Sequence, residues 1–258
     1  MCKFERKDTL NNYLTEEAVN KSDTIENSLI LEYKGINIKN EKSLHNDIKR
    51  WYSQEGDRFE VKVDGSIIDI VRDDLLIEVQ TKNFSAIKNK LIRLCKKHKL
   101  RLIYPIAVEK WITTLEKDNT NVISRRKSPK KGRVEDVFEE LLRMPALINE
   151  ENFQLVVLMI KVEEIRCADG QGSWRRKGIS IVDRKLLDVV DIFHFQSKED
   201  FFTLLPENLT YPFTNKSLGE VLKISPKKVT KITYTLKHMG LIKEVGKSGR
   251  QLLFDLNS

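Results

Sequence analysis

DGSIIDIVRDDLLIEVQTK, residues 64–82, is the stretch of sequence from which the fold can be inferred. It predicts two short strands joined by a tight turn at Arg72-Asp73-Asp74. The apolar residues of this stretch occupy both faces of the hairpin: Ile67, Ile68, Ile70 and Val71 in the first strand, and Leu75, Leu76, Ile77 and Val79 in the second. Such a pattern is typical of a central hairpin that is covered on both sides.

Two acidic residues, Asp69 and Glu78, interrupt the apolar run. A buried carboxylate without a partner is costly, so we expect a cation or a metal ion beside them. Strand alternation predicts Glu78, Gln80 and Lys82 on one face. If Asp69 lies beside Glu78, two hard oxygen ligands point at one spot. That arrangement suits magnesium, which takes one or two carboxylates and keeps waters and a phosphate.

The same stretch resembles the core of the PD-(D/E)XK nuclease superfamily, in which an acid on one strand and an acid-x-lysine triplet on the next bind a metal ion and drive hydrolysis. The resemblance implies Asp69 as the first acid and Glu78-Val79-Gln80 as the triplet. It also implies a Mg²⁺ ion, for which Mn²⁺ can substitute, held by Asp69 and Glu78. Gln80 stands where lysine is usual, and Lys82 would supply the missing positive charge.

A helix is predicted before the hairpin, in SLHNDIKRWYSQ, residues 43–54. Leu44, Ile48 and Trp51 form its apolar stripe, and Ser43 is a suitable N-cap. The resemblance implies that this helix gives a further acid to the metal site, which would be Asp47. The alternative is that Asp47 and Lys49 are solvated surface charges and that the neighbouring His45 lies against the core.

The surrounding elements are predicted in an α/β order. Residues 57–63, DRFEVKV, alternate as a strand, and residues 83–99 have the spacing of an amphipathic helix. A strand from Leu100 to Tyr104 follows, which Pro105 should end. The order resembles the superfamily core over residues 43–112, and it implies a restriction-endonuclease-like mixed sheet flanked by helices.

Composition favours an anionic partner. Lys and Arg outnumber Asp and Glu by 46 to 38, a formal net charge of +8, which favours nucleic acid. No apolar run approaches the roughly 18 residues of a membrane span, so no membrane association is expected. The scattered cysteines Cys2, Cys95 and Cys167 form no metal spacing and indicate a reduced, cytoplasmic protein.

Two basic segments are candidates for contact with nucleic acid. Residues 124–133, SRRKSPKKGR, contain Pro129 and Gly132 and are predicted to be a mobile loop, with Arg125, Arg126, Lys127, Lys130 and Lys131 on phosphates. Near residue 174 a turn places a tryptophan beside Arg175 and Arg176, where the aromatic ring either stacks on a base or fixes its own loop. The alternative for the first segment is an exposed, solvated loop.

The tail from Phe213 predicts a helix, a turn, a second helix and a hairpin, and over about 45 residues it resembles a winged-helix domain. Residues 207–258 hold eight Lys and one Arg against three Glu and one Asp, a net charge of +5. The resemblance implies a recognition helix from Pro226 to His238. Its predicted DNA-facing residues are Lys227, Lys228, Lys231, Thr235 and Tyr234, with Lys247 and Arg250 on the wing. Winged helices also mediate protein contacts, which is the alternative.

Three segments are therefore predicted: an N-terminal arm or cap (1–40), a nuclease-like domain (41–206) and a winged-helix DNA-binding domain (207–258). Pro206 and Pro212 bracket the predicted linker. The expected function is metal-dependent hydrolysis of phosphodiester bonds in DNA, with a homodimer as one arrangement left open. The alternatives are a non-catalytic DNA-binding regulator on an inactive nuclease fold and a protein-interaction module.

Overall fold

The computed structural model of the protein describes residues 43–117 and 121–257, so the predicted arm at 1–40 lies outside the described residues. The α-helices are α1 (Ser43–Tyr52), α2 (Lys88–Cys95), α3 (Phe138–Leu141), α4 (Asn215–Leu222) and α5 (Pro226–His238). The strands are β1 (Arg58–Val63), β2 (Ser66–Arg72), β3 (Leu75–Val79), β4 (Lys99–Leu115), β5 (Val122–Lys127), β6 (Phe153–Cys167), β7 (Ser180–Phe195), β8 (Ile242–Ser248) and β9 (Gln251–Leu256). Short 3-10 helices cover Phe84–Ala86, Val134–Val137, Pro145–Asn149, Trp174–Arg176 and Lys198–Leu204.

Seven strands form one mixed sheet in the order β1-β2-β3-β4-β6-β7, with β5 paired to the outer part of β4. The first three strands are antiparallel neighbours, β3 and β6 run parallel to β4, and β7 returns antiparallel to β6. Helices pack against the sheet. The predicted mixed α/β sheet flanked by helices is confirmed.

The predicted central hairpin is β2 and β3, and it is covered on both faces. Leu44 and Ile48 of α1 share one apolar cluster with Ile70 of β2 and with β3. Leu91 of α2 belongs to a second cluster with Ile68. Burying each such side chain contributes about 1.5–3 kcal/mol relative to exposure. The two helices therefore fix the hairpin from opposite sides.

The prediction that Pro105 ends a strand was wrong, because β4 continues to Leu115. Gln80 N donates to Ile103 O, and the β3 pairing stops there. The backbone groups of residue 105 point to the same side as those of residue 103, where β3 has no further residue to accept a bond. The missing N–H of proline therefore removes no ladder hydrogen bond.

The segment 124–133 is not entirely a loop, contrary to the prediction. Its first four residues belong to β5, an outer strand whose side chains are all exposed. Strands at sheet edges commonly carry charges that block pairing with other chains, so a basic run does not argue against a strand.

The tail forms the predicted order of two helices and a hairpin, α4, α5, β8 and β9. Helix α5 packs against α3 of the preceding part of the chain. One apolar cluster includes Phe138 and Leu141 together with Val229, Ile232 and Leu236 of α5. The hydrophobic core thus crosses the boundary predicted at residues 206 and 207. Across the described ranges, no helix is long and apolar enough to span a membrane.

Candidate functional site

Asp69 lies where the strands of the central hairpin separate. The regular pairing of β2 and β3 ends at Ile70 opposite Ile77, so the next two residues to face each other are Asp69 and Glu78. Asp69 Oδ2 accepts a hydrogen bond from Val79 N at 2.8 Å. The side chain thus bonds to the backbone of the opposite strand, which holds the carboxylate between the two strands.

Helix α1 supplies two basic groups to Asp69, one turn apart. His45 Nε2 lies 3.2 Å from Asp69 Oδ2 and 2.9 Å from the carbonyl oxygen of Val79. Lys49 Nζ lies 3.8 Å from Asp69 Oδ1 and also pairs with Glu60. His45 and Lys49 therefore both face the acids of the hairpin, so the alternative in which His45 lies against the core and Lys49 is a solvated charge was wrong.

These contacts set the protonation of the pair. The hydrogen bond to Asp69 raises the pKa of His45 above its ordinary value. Burial opposes ionisation of Asp69, but the hydrogen bonds from His45 and from Val79 N, with the charge of Lys49, lower its pKa overall. An ionised Asp69 beside a histidine that is easily protonated is therefore the favoured state.

Glu78 is buried, with 5% of its surface exposed. Burial, with the charge of Asp69 as a further cause, raises its pKa to about 7. Lys90 of α2 lies with Nζ 2.5 Å from Glu78 Oε1, and it also donates to the carbonyl of Ile67 at 2.5 Å. Within the described residues, Oε1 accepts no hydrogen bond of ordinary geometry. The group is thus poised between its neutral and ionised forms.

The prediction that Gln80 and Lys82 lie on the same strand face as Glu78 was wrong. Strand β3 ends at Val79, so the alternation does not continue. The Gln80 side chain donates to the carbonyls of Lys82, at 2.5 Å, and Asn83, at 3.2 Å, and Lys82 is exposed in the following bend. The lysine beside Glu78 is Lys90, on the next helix.

Asp47 does not join the two acids, contrary to the implied ligand set. Its Oδ2 accepts a hydrogen bond from Leu186 N of β7 at 3.0 Å. Burial raises its pKa, and the nearby Asp183 adds to that effect. On α1, the positions of His45 and Lys49 face the hairpin, whereas Asp47 faces β7.

The two carboxylates nevertheless suit a divalent cation. Asp69, Glu78 and the carbonyl of Val79 present oxygen ligands, and Glu78 Oε1 is a buried oxygen without a well-formed hydrogen bond. No group of three or more His, Cys, Asp or Glu side chains is arranged to hold a metal ion in the parts of the chain that the structure describes. Magnesium is commonly held by one or two carboxylates, with waters and substrate phosphates completing its shell.

The five residues of 124–133 that were predicted to contact phosphates divide into two sets. Arg125 lies over the Trp111 ring at 4.4 Å and its Nε is 2.9 Å from Glu163 Oε1, while Lys127 pairs with Glu109 at 2.5 Å. The remaining residues of the set are exposed: Arg126, Lys130 and Lys131. The second set is therefore the part that is open to an anionic partner.

The two arginines of the β6–β7 loop make different contacts. The Arg175 guanidinium lies over the ring of Trp174 at 5.6 Å from its centre. Arg176 Nε donates to the carbonyl of Ile179 at 3.1 Å. Arg176 therefore stabilises the loop, and Arg175 lies on its surface.

Helix α5 does not present all of its predicted residues to solvent. Lys228 pairs with Asp136, and Lys231 Nζ lies 3.6 Å from Glu139 Oε1, so both lysines face the preceding part of the chain. Thr235, expected on the exposed face, is fully buried. The exposed residues of the predicted set are Lys227 and Tyr234 on α5, with Lys247 and Arg250 on the β8–β9 hairpin.

Comparisons with known proteins cover the part of the chain that carries this site. A family model described as "Domain of unknown function (DUF8091)" matches residues 42–196. A protein of Treponema pallidum (strain Nichols) named "Uncharacterized protein" is 34% identical over 177 residues, which cover 67% of this chain and 70% of that protein. No solved structure matches the chain. The family match includes Asp69 and Glu78 with all three basic residues beside them.

Proposed function

Because the chain belongs to the family of the domain of unknown function DUF8091, we propose its function from the geometry of the site: a divalent-metal-dependent nuclease that hydrolyses phosphodiester bonds in DNA. One observation carries the proposal. Asp69 and Glu78 lie opposite each other where β2 and β3 separate, and Lys49 and Lys90 approach them from two helices. Adjacent carboxylates with nearby cations suit a metal ion and the charged phosphate of a substrate.

The order of elements supports the proposal by analogy of fold. Helix α1, the antiparallel strands β1 to β3, helix α2 and the parallel strand β4 follow one another along the chain. That is the order expected of a restriction-endonuclease-like core. The proposal accordingly includes that fold for residues 43–115 and membership of the PD-(D/E)XK superfamily.

Each residue of the site has a role in this proposal. Asp69 and Glu78, with the carbonyl of Val79, would hold Mg²⁺ or Mn²⁺. When bound, such an ion lowers the pKa of a coordinated water and neutralises charge on the phosphate. Lys90 would orient the water or the scissile phosphate, in place of the lysine that the resemblance expects at position 80. His45 and Lys49 would place positive charge beside the phosphate.

The C-terminal part would hold the duplex. Its order of helix, helix and hairpin is that of a winged helix, and the exposed Lys247 and Arg250 lie at the end of the hairpin. Phosphate contacts of this kind position a protein on DNA without reading its sequence. Because Lys228 and Lys231 are paired with acids, we assign DNA contact to Lys227, Tyr234 and the hairpin.

One observation favours a second candidate, a DNA-binding protein without catalysis. The site already contains a cation for each acid, since Lys90 contacts Glu78, and His45 contacts Asp69. Such internal pairing stabilises the carboxylates without a metal ion. This candidate predicts DNA binding that is unaffected by EDTA, with no cleavage.

A cleavage assay separates the candidates. Supercoiled, linear and branched DNA are incubated with Mg²⁺, Mn²⁺ or EDTA and with the wild type, Asp69→Asn, Glu78→Gln or Lys90→Met. The matched control is Asp74→Asn, an acid of the same hairpin that lies in the turn and pairs with Lys99 at 2.8 Å. Removal of a residue that supports a metal ligand typically costs 10–100-fold, so loss of a ligand should reduce cleavage by at least about 100-fold.

We expect metal-dependent cleavage by the wild type and by Asp74→Asn, and no comparable cleavage by the site variants. Equal cleavage by the wild type and Asp69→Asn would refute the assignment of the site. Metal-independent DNA binding without cleavage of any substrate would favour the second candidate.

A further inference from the structure

Trp174, in the turn at the end of the β6–β7 hairpin, is unusually exposed. Its surface is 83% exposed, more than any other large apolar side chain in the described part of the chain. An exposed indole forgoes the free energy of burial, and tryptophan is enriched among the residues that dominate binding interfaces. We therefore expect the Trp174 side chain to contact a binding partner.

The turn that carries Trp174 is built by hydrogen bonds. Gly172 N donates to Gly178 O at 2.8 Å, and Arg176 closes the turn through its side chain. Asp169 accepts bonds from Ser180 Oγ at 2.7 Å and from a backbone N–H of the turn at 2.9 Å. The loop thus has a defined geometry, yet the Trp174 ring stays exposed to solvent, with the Arg175 guanidinium over one face of it. The alternative that Trp174 fixes its own loop does not describe this structure.

Positive charge surrounds the turn. Arg175 and Lys177 are exposed beside Trp174. In the sheet next to the turn, one buried carboxylate, that of Glu164, is shared by three cations at 2.6–3.4 Å: Lys110, Arg166 and Arg184. The turn itself, residues 168–179, holds three basic side chains against one acid, Asp169, so positive charge is in excess here. An anionic partner is therefore favoured.

We propose that the end of the β6–β7 hairpin, residues 168–179, holds an unpaired base of DNA against the ring of Trp174 while Arg175 and Lys177 contact the adjacent phosphates. Base stacking on an aromatic side chain within a basic surface is how single-stranded nucleic acid is bound without sequence preference. The proposal rests on the proposed action on DNA, and it narrows the substrate class to DNA that contains unpaired bases.

A lipid surface is less well matched. Binding to a membrane interface needs an apolar face of several residues in addition to the basic ones. At this turn the exposed residues around Trp174 are small, polar or charged, such as Gly170, Gln171 and Ser173. One aromatic ring among cations fits a stacked base and its phosphates better.

The position of the turn relative to the acids is consistent with one bound strand. Ser43, the first residue of α1, donates from its hydroxyl to Asp183 of β7 at 2.5 Å. Asp183 lies three residues along β7 from Ser180, which corresponds to about 10 Å of strand. Helix α1 also carries His45, so the turn and the site lie towards the same end of that helix.

Trp174 is one of three tryptophans, which allows a direct measurement. A protein with Trp51→Phe and Trp111→Phe keeps only Trp174 as a fluorophore. The matched control is the single substitution Trp174→Phe, which keeps the other two tryptophans. Both are titrated in EDTA with a single-stranded oligothymidylate about 16 nucleotides long, the upper end of common site sizes, with a duplex of equal length, and with vesicles of phosphatidylserine and phosphatidylcholine. The affinity of Trp174→Ala for a labelled oligothymidylate is measured in parallel by anisotropy.

We expect the single strand to quench Trp174 strongly in the first protein and to change the control little. Trp174→Ala should bind the single strand about 5- to 150-fold more weakly, whereas its affinity for the duplex should be nearly unchanged. If the double variant fails to fold by circular dichroism, the anisotropy comparison decides alone.

Unchanged affinity of Trp174→Ala for the single strand would overturn the proposal, as would a blue shift with vesicles and no response to DNA. The two proposals fail in distinguishable ways. Cleavage of duplex DNA without quenching would refute only the role of Trp174, and quenching without metal-dependent cleavage would refute only the nuclease.

Discussion

Replacement of Glu78 by glutamine should stabilise the protein above neutral pH, although it removes a charged group that contacts Lys90. The Glu78 pKa of about 7, against 4.5 for an unperturbed glutamate, means that the folded protein keeps a proton that the unfolded chain releases. Between about pH 4.5 and 7 the unfolded state therefore binds fewer protons, and the free energy of unfolding falls as pH rises. The shift corresponds to about 3 kcal/mol, which is fully lost above pH 7.

Glutamine resembles the neutral carboxyl group, so Glu78→Gln does not lose this free energy. We expect it to match the wild type near pH 4.5 and to exceed it by about 1 to 3 kcal/mol at pH 8, the lower value applying if Lys90 loses part of its interaction. The measurement is urea unfolding in EDTA from pH 4.5 to 8.5, analysed by linear extrapolation. Parallel curves for the two proteins would refute the reasoning, because Glu78 would then be ionised in the fold throughout.

Glu164→Gln is the matched control, since Glu164 is an equally buried glutamate with the opposite shift. Burial opposes its ionisation, but hydrogen bonds from Arg166 and Arg184 lower its pKa to about 2. A lowered pKa contributes stability above the unfolded value, which is lost as pH falls towards 2. Because Arg184 is partly solvated, we expect Glu164→Gln to destabilise the protein by only about 1 to 3 kcal/mol at pH 7.

Three further predictions test the packing. In a double-mutant cycle, Lys228→Ala and Asp136→Ala should show a coupling of about 0.5–1 kcal/mol in urea unfolding that weakens at high salt, and additive effects would mean that the two side chains do not interact. Gly172→Ala should disorder the turn around Trp174, because its Cβ would lie 1.9 Å from the carbonyl oxygen of Ile179, and an unchanged Trp174 emission spectrum would argue against this. Leu91→Ala should lower the free energy of unfolding by about 2–5 kcal/mol in the same assay, and a loss below about 1 kcal/mol would show that α2 is not tightly packed on the sheet.

The hairpin and its two acids could be predicted from sequence because their determinants are local. Alternating and contiguous apolar residues identify β2 and β3, and an acid within an apolar run is conspicuous. The helices on each side were also predicted, since their periodicity is local. The hypothesis of a covered hairpin with Asp69 near Glu78 therefore needed no tertiary information.

Lys90 could not be identified in the same way, because its contact with Glu78 depends on how α2 crosses the sheet. The one available signal was its position directly before the inward-facing Leu91 on an otherwise lysine-rich helix face. Asp47 shows the converse: its type and helix suited the resemblance, but the rotation of α1 directs His45 and Lys49 to the hairpin. The apolar stripe sets which side of α1 faces the sheet, but which strands the flanking residues meet depends on tertiary packing.

Pro105 was misinterpreted because the penalty for proline depends on the neighbouring strand. Because β3 ends at Val79, it offers no hydrogen-bond acceptor beside Pro105, and the local sequence does not show this. Similarly, Lys228 and Lys231 have the residue type and spacing of a recognition helix, but Asp136 and Glu139 are distant in sequence. Partners that are far apart along the chain decide both cases.

The packing of α5 on α3 has a consequence for how the chain can be divided. The family match ends at residue 196, yet Val229 and Leu236 complete the apolar cluster that includes Phe138. A fragment cut near residue 206 would leave that surface in water, and we expect it to aggregate. Intact protein should instead melt in a single cooperative transition and resist proteases at the junction. The limits of sequence similarity are therefore not the limits of the folding unit.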